Sequence, residues 1–240
     1  MCIDLRGSGR LGRVLPALAL GASLVCAAAP AAGPLAEPAA GPLAEPAAEA
    51  SGRWRLAAEG ETLHLSDAAG RRVKTFAAAS LDGARRSRVS AVHFTPERRS
   101  FVVAFEVLPE LWEISIDPHA EVIYHGLVHD FRMGEGVPEP GFLGARRTRL
   151  EQPLRDVVLD ATGSYVIGRA ADAADGRAVV QVVHLDVRRR IASFTVDGDP
   201  DLTRRELERR DGRELVRWPD RRGGAPFVLD VHALRLLPRS

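Results

Sequence analysis

Two cysteines, Cys2 and Cys26, stand in a chain of 240 residues, both near its beginning. From Ala27 onward there is no disulfide, no thiolate metal ligand and no cysteine nucleophile. No C-x-x-C-H string is present, so covalent attachment of a c-type haem is excluded. Lysine is nearly missing as well: Lys74 stands alone, and arginine carries the remaining positive charge. The formal net charge is only +1, which argues against capture of nucleic acid by charge. The chain has no G-x-S-x-G elbow, no Walker A loop and no dinucleotide glycine fingerprint. No apolar run reaches the roughly 20 residues that a membrane-spanning helix requires.

The start of the chain follows the secretory pattern. Arg6, Arg10 and Arg13 precede the short apolar run Val14–Ala29, which Pro16 and Gly21 interrupt and the small residues of "CAAAPAAG" follow. Residues 1–29 are therefore expected to be a signal peptide, cleaved near Ala29 or Ala32, with a periplasmic or secreted product. No Arg-Arg pair marks the twin-arginine route, and Val25 is a poor neighbour for a lipidated Cys26. Cleavage would remove three arginines, Asp4 and both cysteines, taking the formal charge from +1 to −1 and leaving no membrane span. "AAGPLAEP" then occurs twice, at 31–38 and 39–46. Such Pro- and Ala-rich composition cannot bury a core, so residues 30–51 read as a tether.

From Arg53 the pattern becomes β. "TLHLS" (62–66) alternates. In "LWEISI" (111–116) Trp112, Ile114 and Ile116 share one face, and Glu113 and Ser115 the other. "SFVVAFEVL" (100–108) starts apolar on both faces, as a strand between stacked sheets would. Two blocks share one grammar of strand, turn, strand, insertion, strand ending in hydrophobic-Asp (Ile116-Asp117, Leu185-Asp186), turn and last strand. The fold expected is all-β: a β-propeller-like repeat of four-stranded antiparallel blades, about 40–50 residues each. Residues 52–202 form this domain. Residues 203–240 read either as a degenerate last blade or as a mobile tail, in which "LTRRELERRDG" could be a short charged helix.

The string "LWEISIDPHAEVIYHGLVHDFRMGEGVPEPGFLGARRT" (111–148), with "VVHLDVRRRIASF" (182–194), resembles bacterial β-propellers that carry a cytochrome d1 haem domain. The resemblance covers roughly residues 89–196. It implies haem d1 as the cofactor to consider. His129, Arg132, Arg146 and Arg147 lie in matching strings and become the candidate cofactor-binding residues, a histidine for the iron and arginines for the acid side chains. Haem domains of this kind need about eight blades to close, and the chain has material for about four. The propeller is thus expected to be incomplete or truncated, to close with its four blades alone, or to be completed by a second copy as a homodimer.

His125 and His129 lie four apart, but a metal site needs a third protein ligand. The alternative is structural: His129-Asp130 ends a strand, and Asp130 or Glu135 pairs with an arginine. No catalytic residue and no metal ligand is assigned. Three functions stay open: a secreted, non-catalytic propeller-like module that binds an unknown protein or other ligand, a protein that binds or transfers the haem d1 tetrapyrrole, and a degenerate remnant without ligand.

Overall fold

The computed structural model describes residues 47–48, 53–125 and 138–239. These form four antiparallel sheets, each of four strands in sequence order. Sheet 1 holds β1 (Ala47–Ala48), β2 (Trp54–Glu59), β3 (Thr62–Asp67) and β4 (Arg72–Ala77). Sheet 2 holds β5 (Val89–Thr95), β6 (Ser100–Phe105), β7 (Glu110–Ser115) and β8 (Ala145–Arg149). Sheet 3 holds β9 (Arg155–Leu159), β10 (Tyr165–Arg169), β11 (Ala178–His184) and β12 (Arg189–Val196). Sheet 4 holds β13 (Glu206–Arg210), β14 (Arg213–Trp218), β15 (Phe227–Asp230) and β16 (Arg235–Leu236). Among the described residues the only helical piece is a 3-10 turn, Leu202–Arg204.

Alternation along the strands builds the cores. All six residues of β6 are buried. Phe101, Val103 and Phe105 pack with Trp112 and Ile114 against Leu56, Leu63 and Leu65 of sheet 1. Val102 and Ala104 point the other way, to Val157, Val166 and Val183 of sheet 3. β11 repeats the device, with Val180 and Val182 joining Val216, Trp218 and Leu229 of sheet 4. A strand clad on both faces needs apolar residues at every position, which explains the two unbroken runs.

Four sheets thus share three cores. Closing into a ring of four would require a fourth core between sheets 4 and 1, and none exists among the described residues. The register turns Arg55, Glu59, Thr62 and His64 to the outer face of sheet 1. It likewise turns Glu206, Glu208, Arg213 and Arg217 to the outer face of sheet 4. The architecture is an open, propeller-like arc with polar ends. "LTRRELERRDG" does not form a charged helix: after the 3-10 turn it becomes β13, paired along its length with β14. All five β13 residues are exposed, so the ladder holds the strand, and its charges suit an uncovered sheet edge.

Candidate functional site

β8, the last strand of sheet 2, carries two of the arginines singled out from sequence. Arg147 pairs across from Trp112 and Arg146 across from Glu113, so the neighbours leave opposite faces of the sheet. The Arg147 guanidinium stacks 4.2 Å from the Trp112 ring. It donates to the Ala79 carbonyl at 2.8 Å and to Glu110 Oε2 at 3.4 Å. Trp112 Nε1 donates to the same Glu110 oxygen at 2.8 Å. Desolvation pushes the Arg147 pKa below its ordinary value despite Glu110. Arg147 is therefore already engaged within the protein.

Arg146 differs. The carboxylate across from it, Glu113, is gripped by Arg98 Nε at 2.7 Å and by Ser100 Oγ at 3.1 Å. Arg98 also reaches Asp186 at 2.7 Å, tying sheet 2 to the β11–β12 turn. Among the described residues Arg146 forms no ion pair. With Arg147, Arg149, Tyr124 and His125 it borders a rim cavity of about 800 Å³. The bridge between Ile123 and Glu139 closes the base of the segment between β7 and β8. Gly141 beside it leaves no room for a Cβ, which would overlap the backbone carbonyls of Glu121 and Ala120. His125 Nε2 lies 3.6 Å from Glu139. His129 and Arg132 lie outside the described residues. Among those described, no group of three or more His, Asp or Glu side chains gathers as a metal site.

A second place emerges on β5. Neighbouring sheets approach one another through their first strands, β5 touching β1, β2 and β9. β5 therefore lies on the inner side of the arc. Among the described residues, four buried polar side-chain atoms lack a hydrogen-bond partner, and Ser90 Oγ, His93 Nε2 and Thr95 Oγ1 all belong to β5. Such atoms are costly in a finished interior and call for an explanation. Burial lowers the His93 pKa from 6.5; interaction with the Val157 backbone opposes this, and the nearby Arg205 charge adds to it. The ring is thus held neutral, the state in which imidazole donates to a metal.

No protein-family model matches the chain. The dihydro-heme d1 dehydrogenase of Pseudomonas aeruginosa is 31% identical over 159 residues, covering 66% of this chain and 27% of that protein. The solved structure of dihydro-heme d1 dehydrogenase NirN in complex with DHE superposes with a TM-score of 0.63 at 28% identity, covering 80% of this chain and 36% of that one. Over part of its length the chain is similar to cytochrome d1 haem domain-like propellers. It spans 27% of the length of its curated relative. The structure of apo AztD from Citrobacter koseri, 12% identical, matches 77% of this chain and 43% of its own with a TM-score of 0.44.

A haem d1 group asks for an uncharged donor to iron and for cations facing its acid side chains. His93, with its orphaned nitrogen, and Arg205, whose charge acts on it, meet these demands. Arg146 and Arg147 lie at the other edge of the sheet, three strand spacings or about 14 Å from β5. They belong to the rim rather than to the inner wall. His93 stands in a strand with no flanking motif to mark it. Its place in "SAVHFT" carries one signal: the period of two sets it with Ala91 and Thr95, away from Val92 and Phe94. Arg205 had no signal at all, since only the turn at Leu202–Arg204 brings it near His93.

Proposed function

We propose that the chain is an exported, non-catalytic binding module for a haem d1-type tetrapyrrole, held at the inner wall of the arc. The observation that carries this reading is the buried, unpartnered Nε2 of the neutral His93. His93 would face the iron, and Arg205 would meet a carboxylate side chain of the macrocycle. When bound, the group would supply iron-centred redox or ligand-binding chemistry. The chain's own residues hold, orient and shield it. The partial likeness to dihydro-heme d1 dehydrogenase supports the ligand class. The arginine-flanked apolar run before Ala29 supports export to the periplasm. No helix among the described residues is long and apolar enough to cross a membrane.

Titration of the purified full chain with haem d1, followed by absorption spectroscopy, tests the proposal. A saturable band shift that His93→Ala removes is the expected result. A shift that survives His93→Ala but is lost in His129→Ala would move the ligand to the loop histidine. No shift under saturating conditions would sink the tetrapyrrole reading and leave either a protein-binding module or a remnant without ligand.

A further inference from the structure

Several arginines of sheets 3 and 4 have carboxylate partners. Arg169 contacts Asp172 and Asp199, Arg177 contacts Asp175, Arg221 contacts Asp201 and Asp156, and Arg239 contacts Asp220. Other arginines of these sheets form no ion pair among the described residues, but three, in sheet 4 and its entry, gather in one place. Arg204, Arg205 and Arg217 converge on one cavity of about 700 Å³, together with Glu206, Trp218 and Gly224. Among the described residues none of the three forms an ion pair or a side-chain hydrogen bond. Glu206 sits across the ladder from Arg217 but makes no ion pair with it, and one carboxylate cannot neutralise three guanidiniums.

Two further observations describe the surroundings of this cluster. Trp218 borders the cavity while its ring lies buried in the core shared with sheet 3, and its indole N–H has no acceptor among the described residues. Desolvation lowers the Arg205 pKa, whereas the carboxylate partners of Arg169 and Arg221 raise theirs. A folded chain that gathers like charges without a counter-charge pays in repulsion what a bound anion would relieve. The volume lies within the range of small-molecule sites, about 300–1,000 Å³, and exceeds the need of a bare inorganic ion.

We propose that this cavity is a binding site for a small organic oxyanion carrying at least two negative charges, a di- or tricarboxylate or a phosphate ester. Guanidiniums suit both, because their paired N–H groups match carboxylate and phosphate oxygens alike. The site does not depend on the tetrapyrrole reading. Arg205 is common to both places, so the test leaves it untouched.

The full chain is titrated separately with citrate and with inorganic phosphate, by calorimetry and by tryptophan fluorescence. Trp54 and Trp112 lie in another core, so Trp218→Phe identifies the responding signal. Saturable binding of either probe, with Kd of about 1 mM or tighter, is expected. It should weaken with added sodium chloride and by about tenfold in Arg217→Gln and in Arg204→Gln. Both arginines are exposed, so these variants should fold, which circular dichroism checks. His93→Ala should leave anion binding unchanged while removing any tetrapyrrole signal. Preference for citrate names a carboxylate ligand, and preference for phosphate a phosphoryl one. Binding of neither probe by about 10 mM, or undiminished binding in both glutamine variants, overturns the proposal.

Discussion

His93 carries a ring nitrogen shut away from water, and this couples its protonation to folding. Its folded pKa lies below 6.5, so the unfolded chain takes up a proton that the folded chain refuses. Stability should therefore fall as pH drops below 6.5, and His93→Phe should flatten that slope over roughly pH 7 to 5. Urea midpoints measured across this range, wild type against variant, separate His93 from the other histidines. An unchanged slope would mean that the ring is freely solvated. Arg147 and Arg146 make a second contrast. Arg147→Met strands the buried Glu110 carboxylate, and should cost about 1–3 kcal/mol of unfolding free energy. Arg146→Met leaves no buried partner behind and should stay within about 0.5 kcal/mol. Equal losses in denaturant unfolding would contradict the different roles given to these neighbours.

At the scale of elements, the loop between β14 and β15 locks sheet 4 to the end of sheet 3. Asp220 accepts hydrogen bonds from the Asp199 and Arg222 amides at 2.9 and 3.0 Å and from the Arg239 guanidinium at 2.7 Å. Desolvation raises its pKa, but these amide and guanidinium donors outweigh it and bring the group down to about 2. Stability from this latch is full above 3.8 and is lost as pH falls toward 2. Asp220→Asn should therefore shift acid unfolding to a smaller pH dependence below pH 3.8 while lowering stability at neutral pH. Acid titration followed by circular dichroism checks both effects. Gly198 is part of the same latch: at φ +127° it adopts a backbone that other residues avoid, and a Cβ there would overlap Asp220. "VDGDP" in the sequence marks a turn, but not this one's partner, because Asp220 lies 22 residues downstream of Gly198.

For the whole molecule, the count of cores against sheets decides the shape. Three cores among four sheets leave two terminal faces, and both are polar. Stacking a second copy on them would bury Arg55 and Glu59 of sheet 1 against Glu208, Arg213 and Arg217 of sheet 4. Burying such groups without matched partners is unfavourable. The chain is therefore predicted to remain a monomer at micromolar concentration, near the 25.9 kDa of the uncleaved sequence or somewhat less after export. Sedimentation analysis checks this. A dimer would mean that two arcs close one ring, as the shortage of blades suggested from sequence.

Much of the fold was legible because strand alternation is a local property. A residue's neighbours at two positions decide which face it takes, so "SFVVAF" and "LWEIS" announced their cores before any contact was known. The absence of cysteine after Cys26 and the string shared with cytochrome d1 propellers are likewise written in the chain alone. Pairing between distant segments is not. The influence of the Arg205 charge on His93 and the convergence of Arg204 and Arg217 on one cavity depend on which distant segments pair and pack. Those placements arise from burial of apolar faces, a non-directional force that fixes which surfaces meet without naming the polar residues carried along. That is why local pattern revealed the strands and their inward faces, while only packing determined which charged and imidazole groups share a wall.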